Sequence, residues 1–154
     1  MSDWKRSTQA ISFEQMPIAL KAEIQKHVER YQLGDILSEA LMCIQTVSEK
    51  AKKGILGSRE MVYLGAVVTP RWLIWAVEGT KSSAAVLSAL LAEVVVQDYA
   101  NTPFSKMISD SGIDVSGKFT DAVKNASAFI GLEDNAVGKK FKETVIEAVQ
   151  NAKK

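Results

Sequence analysis

Apolar residues in "GAVVTPRWLIWAVEG" (Gly65–Gly79) fall in two runs separated only by Thr-Pro-Arg. A proline in the interior of a helix removes a hydrogen bond and clashes with the preceding turn, at about 3 kcal/mol. The flanking Val62, Tyr63, Val67, Val68, Trp72, Ile74, Trp75 and Val77 favour a pleated surface. The pattern therefore predicts two antiparallel strands, Glu60–Thr69 and Arg71–Glu78, with Thr-Pro-Arg as the turn between them. Along the second strand Trp72, Ile74 and Ala76 share one face, and Leu73, Trp75 and Val77 share the other. Both faces are apolar, so both need a cover, and the hairpin belongs at the centre of a sheet.

The clearest helical period lies at the C-terminus. Val137, Phe141, Val145 and Val149 recur every four residues, with Thr144 and Ala148 on the same stripe. Glu133, Asp134 and Asn135 precede them as cap and N-terminal negative charge. This predicts an amphipathic helix from about Ala136, a lid whose large side chains each contribute roughly 1.5–3 kcal/mol on burial.

Elsewhere the pattern is weaker. Residues 1–16 are expected to form a flexible tail, since the first twelve are polar and without period. A helix is expected over about Pro17–Gln32 within a segment 17–34, opened by Pro17 and stopped by Gly34. "SEALMCIQTVSEKAKKG" is open between helix and strand; the β-branched Ile44, Thr46 and Val47 favour strand. "AAVLSALLAEVVVQDYANTP" reads as a loop or short strand leading to a strand near Glu93–Tyr99. Short strands are expected in "SGIDVSGKFT" and "ASAFIGLED".

Composition changes the picture by exclusion. The chain has 154 residues, 47% hydrophobic and 24% charged, enough for one domain with a real core. Nineteen basic and eighteen acidic side chains leave +1, which gives no support to a generic nucleic-acid binder. One cysteine, Cys43, allows no intrachain disulfide and fits a reducing cytoplasm. The longest weakly polar run, Ser82–Val96, carries Glu93 and is shorter than the roughly 20 residues of a membrane span.

A run of antiparallel strands closed by one C-terminal amphipathic helix resembles a pleckstrin-homology-like (PH/GRAM-type) barrel. The likeness rests on "VVTPRWLIWA" (Val67–Ala76), "DSGIDVSGKFT" (Asp110–Thr120) and "FIGLED…FKETVIEAV" (Phe129–Val149). It covers about residues 38–150, is closer to bacterial members than to eukaryotic lipid-binding ones, and leaves the N-terminal helix outside. The expected fold class is thus α+β, an antiparallel PH-like barrel or sheet capped by the C-terminal helix.

The resemblance implies two kinds of partner. In bacterial members it implies protein–protein contact or self-assembly, by edge-strand pairing or a helix laid in a groove. Met16, Ile18, Leu20 and Ile24 of the first helix would then be the contact residues, unless that helix packs on its own barrel. In lipid-binding members, basic residues around the first two strands hold inositol phosphates. Lys50, Lys52, Lys53, Arg59 and Arg71 would take that part here. The chain departs from the pattern two positions after Arg59, where Met61 replaces the second basic residue, and Glu49 and Glu60 weaken the field. The same lysines also suit a solvated strand edge.

No reaction chemistry emerges. His27, the only histidine, has no second ligand for a metal and reads as a boundary residue. Cys43, among Leu41, Met42 and Ile44, reads as a small buried side chain rather than a nucleophile. Asp110, Asp114, Asp121, Glu133 and Asp134 lack calcium-loop spacing, and Gly54-x-x-Gly57 lacks the Lys-Ser/Thr of a phosphate loop. Trp72 and Trp75 lack the basic surround of a base-stacking platform. The sequence thus leads to a non-enzymatic binding or scaffold module without cofactor or metal, with anionic-lipid recognition as the alternative.

Overall fold

The computed structural model describes residues 4–50 and 59–154. It is an α+β chain of two antiparallel sheets and two α-helices. The first sheet has the order β1 (Trp4–Ala10), β2 (Met42–Lys50), β3 (Glu60–Val68), β4 (Trp72–Gly79), β5 (Ser82–Leu90). The second is β6 (Val94–Asp98), β7 (Gly112–Gly117), β8 (Ala126–Gly131). Helix α1 (Ile18–Arg30) separates β1 from β2, and α2 (Ala136–Ala152) ends the chain. The two sheets remain separate, so the closed form of the expected barrel is replaced by an open arrangement.

The Pro70 turn is built as the sequence requires. Val68 pairs with Leu73 and Val62 with Gly79 along the β3–β4 ladder. Thr69 Oγ1 accepts from the amides of Trp72 (2.9 Å) and Arg71 (3.2 Å), and Thr69 N donates to Trp72 O at 2.8 Å. The threonine thus satisfies the amides of a turn in which Pro70 itself has none to offer. Both faces of β4 are covered. Leu73, Trp75 and Val77 join the core under α2 and the second sheet; Trp72, Ile74 and Ala76 join a smaller core under α1.

Helix α1 packs on its own sheet. Leu20 and Ile24 are fully buried, and Met16 sits so close over Gly65 that a Cβ there would lie 2.6 Å from its sulfur. Helix α2 starts at Asn135, whose Oδ1 accepts from Gly138 N at 2.8 Å, and buries Phe141, Val145, Ala148 and Val149. It lies against β1, β2, β3, β6 and β7, and so bridges the two sheets.

Two expectations are corrected. Trp4–Ala10, expected within a flexible tail over residues 1–16, is a full strand paired with β2 from Trp4↔Lys50 to Ala10↔Ile44. Its inward residues are polar: Arg6 reaches Asp110 and Ser48, and Thr8 reaches Thr46 and Glu133. The stretch from Ala84, expected to begin as a loop or short strand, belongs to a nine-residue strand along β4, Ser82–Leu90. There the ladder outweighs the helix preference of its alanines and leucines. The open segment 38–53 is strand over Met42–Lys50.

Candidate functional site: an open sheet edge and the cleft beside it

The first sheet ends in β1 on one side and β5 on the other, and the two edges are finished differently. On β1, Thr8 N donates to Glu133 Oε1 (2.9 Å), while Asn135 Nδ2 donates to Thr8 O (3.4 Å). The strand also carries Lys5 and Arg6. Charge and side-chain caps of this kind keep an edge from pairing with another chain. Strand β5, SSAAVLSAL, has no charge, proline or glycine in nine residues. Among the described residues, one backbone bond reaches its outer edge, from Thr120 N to Ser88 O at 2.8 Å. Backbone groups alternate sides along a strand, so Val86 N–H and C=O face the same open side as those of Ser88.

A cleft of about 680 Å³ runs beside this edge, between α1, β5 and residues 119–126. Val86 and Leu87 form its apolar wall; Lys26, His27, Arg30 and Asp121 supply charge or a titratable ring. His27 Nε2 bonds Ser88 Oγ at 2.7 Å, and Ser88 Oγ donates to Thr120 Oγ1 at 2.7 Å. With its hydroxyl proton committed to Thr120, Ser88 accepts from the imidazole, which makes Nε2 the protonated nitrogen. Ser88 is fully buried, so this chain ties helix to edge strand and offers no nucleophile.

Burial, followed by the Arg30 charge, holds the His27 pKa below its ordinary 6.5, while Asp121 pulls the other way. A depressed folded value means the unfolded chain binds the proton more readily, so stability rises with pH. The contribution is full above 6.5 and is lost as pH falls from there through the lower folded value. The melting temperature is therefore expected to drop between pH 7.5 and 5.5, with a shallower slope in His27→Gln. Equal slopes in a pH series of the two proteins would show that His27 carries none of this dependence.

The candidate phosphate site does not converge. Lys50 and Glu60 pair at one end of the β2–β3 ladder, and Arg71 lies beyond Val68 at the other. Nine residues of strand separate the ends by roughly 26 Å. Arg59 is taken by Glu49, and the Lys50 ammonium lies 5.7 Å from the centre of the Trp4 ring. Lys52 and Lys53 lie outside the described residues. Of the four partner-contact candidates, Met16, just before α1, and Leu20 and Ile24 on it belong to the chain's own core, and Ile18 alone is exposed.

Burial pushes the Cys43 thiol up to about 12, far from a thiolate at neutral pH, and Cys43 does not line the cleft that holds His27. The carboxylates have structural partners: Asp110 with Arg6, Glu133 with Thr8, Asp121 with Tyr31. Asp114 is half-buried, and burial raises its pKa. No helix is long and apolar enough to cross a membrane among the described residues. No family model, no curated protein and no solved structure matches the chain. The β5 edge was absent from the sequence-based candidates, although its signal is legible: nine uncharged residues in a chain one quarter charged.

Proposed function

We propose that the chain is a non-enzymatic protein-binding or scaffold module of pleckstrin-homology-like type, acting in the cytoplasm, with β5 as its docking strand. The observation that carries this reading is the asymmetry of the two sheet edges. One is capped by Glu133 and Asn135, and the other is uncharged and open beside a cleft. An extended segment of a partner, or of a second copy, adds to β5 through main-chain bonds. Its side chains on one face pack beside Val86 and those on the other beside Leu87, both of which line the cleft. Main-chain bonding supplies affinity, and the charges of Glu23, Lys26, Arg30 and Asp121 around the cleft supply selectivity.

The strand order supports the family reading: β2–β5, then β6–β8, then a closing helix α2. Strand β1 and helix α1 are additions to that order at the N-terminal end. The scattering of Lys50, Arg59 and Arg71 leaves the anionic-headgroup alternative without a converged site.

The test uses charge on the edge. Ala85 and Leu87 are exposed, so Ala85→Lys and Leu87→Lys disturb no core. Sedimentation velocity over a concentration series, alone and with native lysate fractions, is expected to show a complex for the wild type. Both variants are expected to remain monomeric, with association at least about tenfold weaker. Complexes of equal strength in wild type and variants would remove β5 from the reading.

A further inference from the structure

Between β6 and β7 the chain makes an excursion of two single 3-10 turns, Tyr99–Asn101 and Pro103–Lys106. At its tip Phe104, Met107 and Ile108 are 64%, 84% and 65% exposed. Three large apolar side chains in five residues present about 400 Å² of surface, taking roughly 200 Å² for each. Such a patch is within the range of the largest on an ordinary monomer, where patches are often functional.

The tip cannot fold its side chains away, because its backbone is held from within. Thr102 N and Oγ1 donate to Tyr99 O (3.0 and 2.7 Å), and Ser105 Oγ reaches Thr102 O (2.8 Å) and Ala100 O (3.1 Å). Gln97 Nε2 donates to Asn101 O at 3.1 Å. Met107 N and Ile108 N donate to Phe104 O (3.0 and 2.9 Å), and Tyr99 OH donates to Phe104 O and Ile108 O. Burial raises the pKa of the Tyr99 phenol further above its ordinary value, with Asp110 and Asp114 adding to the effect. Six carbonyls of the excursion thus accept bonds without water.

We infer that this tip is a membrane-interface anchor, which inserts Phe104, Met107 and Ile108 at the headgroup–acyl boundary of a bilayer. Each carbonyl already bonded from within lowers the cost of leaving water for lipid, where unpaired polar groups are costly. The area favours lipid over protein. A specific protein interface takes about 800 Å² per partner and shape complementarity, whereas a fluid surface accepts a small convex knob. Charge agrees. Asp98 is bound by Lys142 at 2.8 Å and Asp110 by Arg6 at 2.6 Å, which leaves Lys106 as the one charged residue between them in the sequence. An ammonium on a long apolar stem suits the phosphate level of the interface.

The test is co-sedimentation of the full chain with phosphatidylcholine vesicles, with and without a phosphatidylglycerol fraction. Wild type is expected to bind both and to bind the anionic vesicles more strongly. Phe104→Ser/Met107→Ser/Ile108→Ser is expected to partition at least about tenfold more weakly, with its melting temperature unchanged because the three positions are exposed. Lys106→Gln is expected to lose only the increment due to phosphatidylglycerol. Three results overturn the inference: no sedimentation of the wild type with either vesicle, equal partitioning of the triple variant, or wild-type self-association abolished by the triple variant in the absence of lipid. The last would make the tip a protein contact.

Discussion

Phe141→Ala is expected to lower the free energy of unfolding by about 3–5 kcal/mol, the largest loss for any single truncation considered. Phe141 is fully buried on the α2 stripe, in one cluster with Trp75, Leu73, Ile113 and Ile130. That cluster draws from both sheets, so the ring fills the space where they are joined. Its removal leaves a cavity that β3, β4, β7 and β8 cannot all close around at once, since each is fixed by its own ladder. For a chain of this size the loss corresponds to a melting temperature lower by about 10 °C. Ile18→Ala, on the exposed side of α1, is the control and is expected to stay within about 0.5 kcal/mol. Urea unfolding of the two variants checks both values. A Phe141→Ala loss below about 1 kcal/mol would mean that α2 is not the lid that holds the sheets together.

Arg6→Ala is expected to cost about 2–4 kcal/mol, somewhat below the range for a fully buried pair because both side chains keep 12% exposure. Arg6 Nε and Nη2 donate to the two Asp110 oxygens at 2.8 and 2.6 Å, and Nη1 donates to Ser48 Oγ at 2.6 Å. The guanidinium also lies 5.4 Å from the Phe129 ring centre. Truncation leaves the Asp110 carboxylate without its bidentate partner, and water does not reproduce a planar fork matched to a carboxylate. The double variant Arg6→Met/Asp110→Asn removes both charges and is expected to be more stable than Arg6→Ala. A double-mutant cycle with Arg6→Met and Asp110→Asn would read the coupling, expected at about 1.5 kcal/mol or more. Additive single effects would place the cost of Arg6→Ala in lost packing instead.

These two residues also show what could be read from the sequence. Phe141 stands in a four-residue apolar period, and the solution it implies, a capped amphipathic helix from Ala136, is the one observed. The β3–β4 hairpin was equally legible, because Pro70 forbids a continuous helix and the two apolar faces of β4 demand two covers. Arg6 belongs to the opposite case. Strand β1 alternates properly, but its inward positions are Arg6 and Thr8, whose partners Asp110 and Glu133 lie more than a hundred residues away. A hydrophobic pattern cannot signal a strand whose core face is polar and satisfied from a distance.

Strand β5 was obscured for another reason. Its alanines and leucines carry helix propensity, and only the register with β4, from Trp72↔Leu90 to Gly79↔Ser82, makes it a strand. The candidate basic site failed through geometry as well. Lys50 and Arg59 lie at one end of the β2–β3 pair, but Arg71 follows Val68 at the opposite end. Met16, Leu20 and Ile24 form an apolar face that the chain uses for its own core, while Ile18 points away from it.

The docking role of β5 is tested most directly by amide hydrogen exchange resolved at Ala85, Val86 and Leu87. In the dilute chain the Val86 amide, on the same open side as the Ser88 carbonyl bonded by Thr120, is expected to exchange quickly. The Ala85 and Leu87 amides face β4 and are expected to be protected. On association Val86 is expected to slow at least about tenfold while its neighbours barely change, the signature of a strand added to the edge. Association that leaves Val86 exchanging at its free rate would contradict the account.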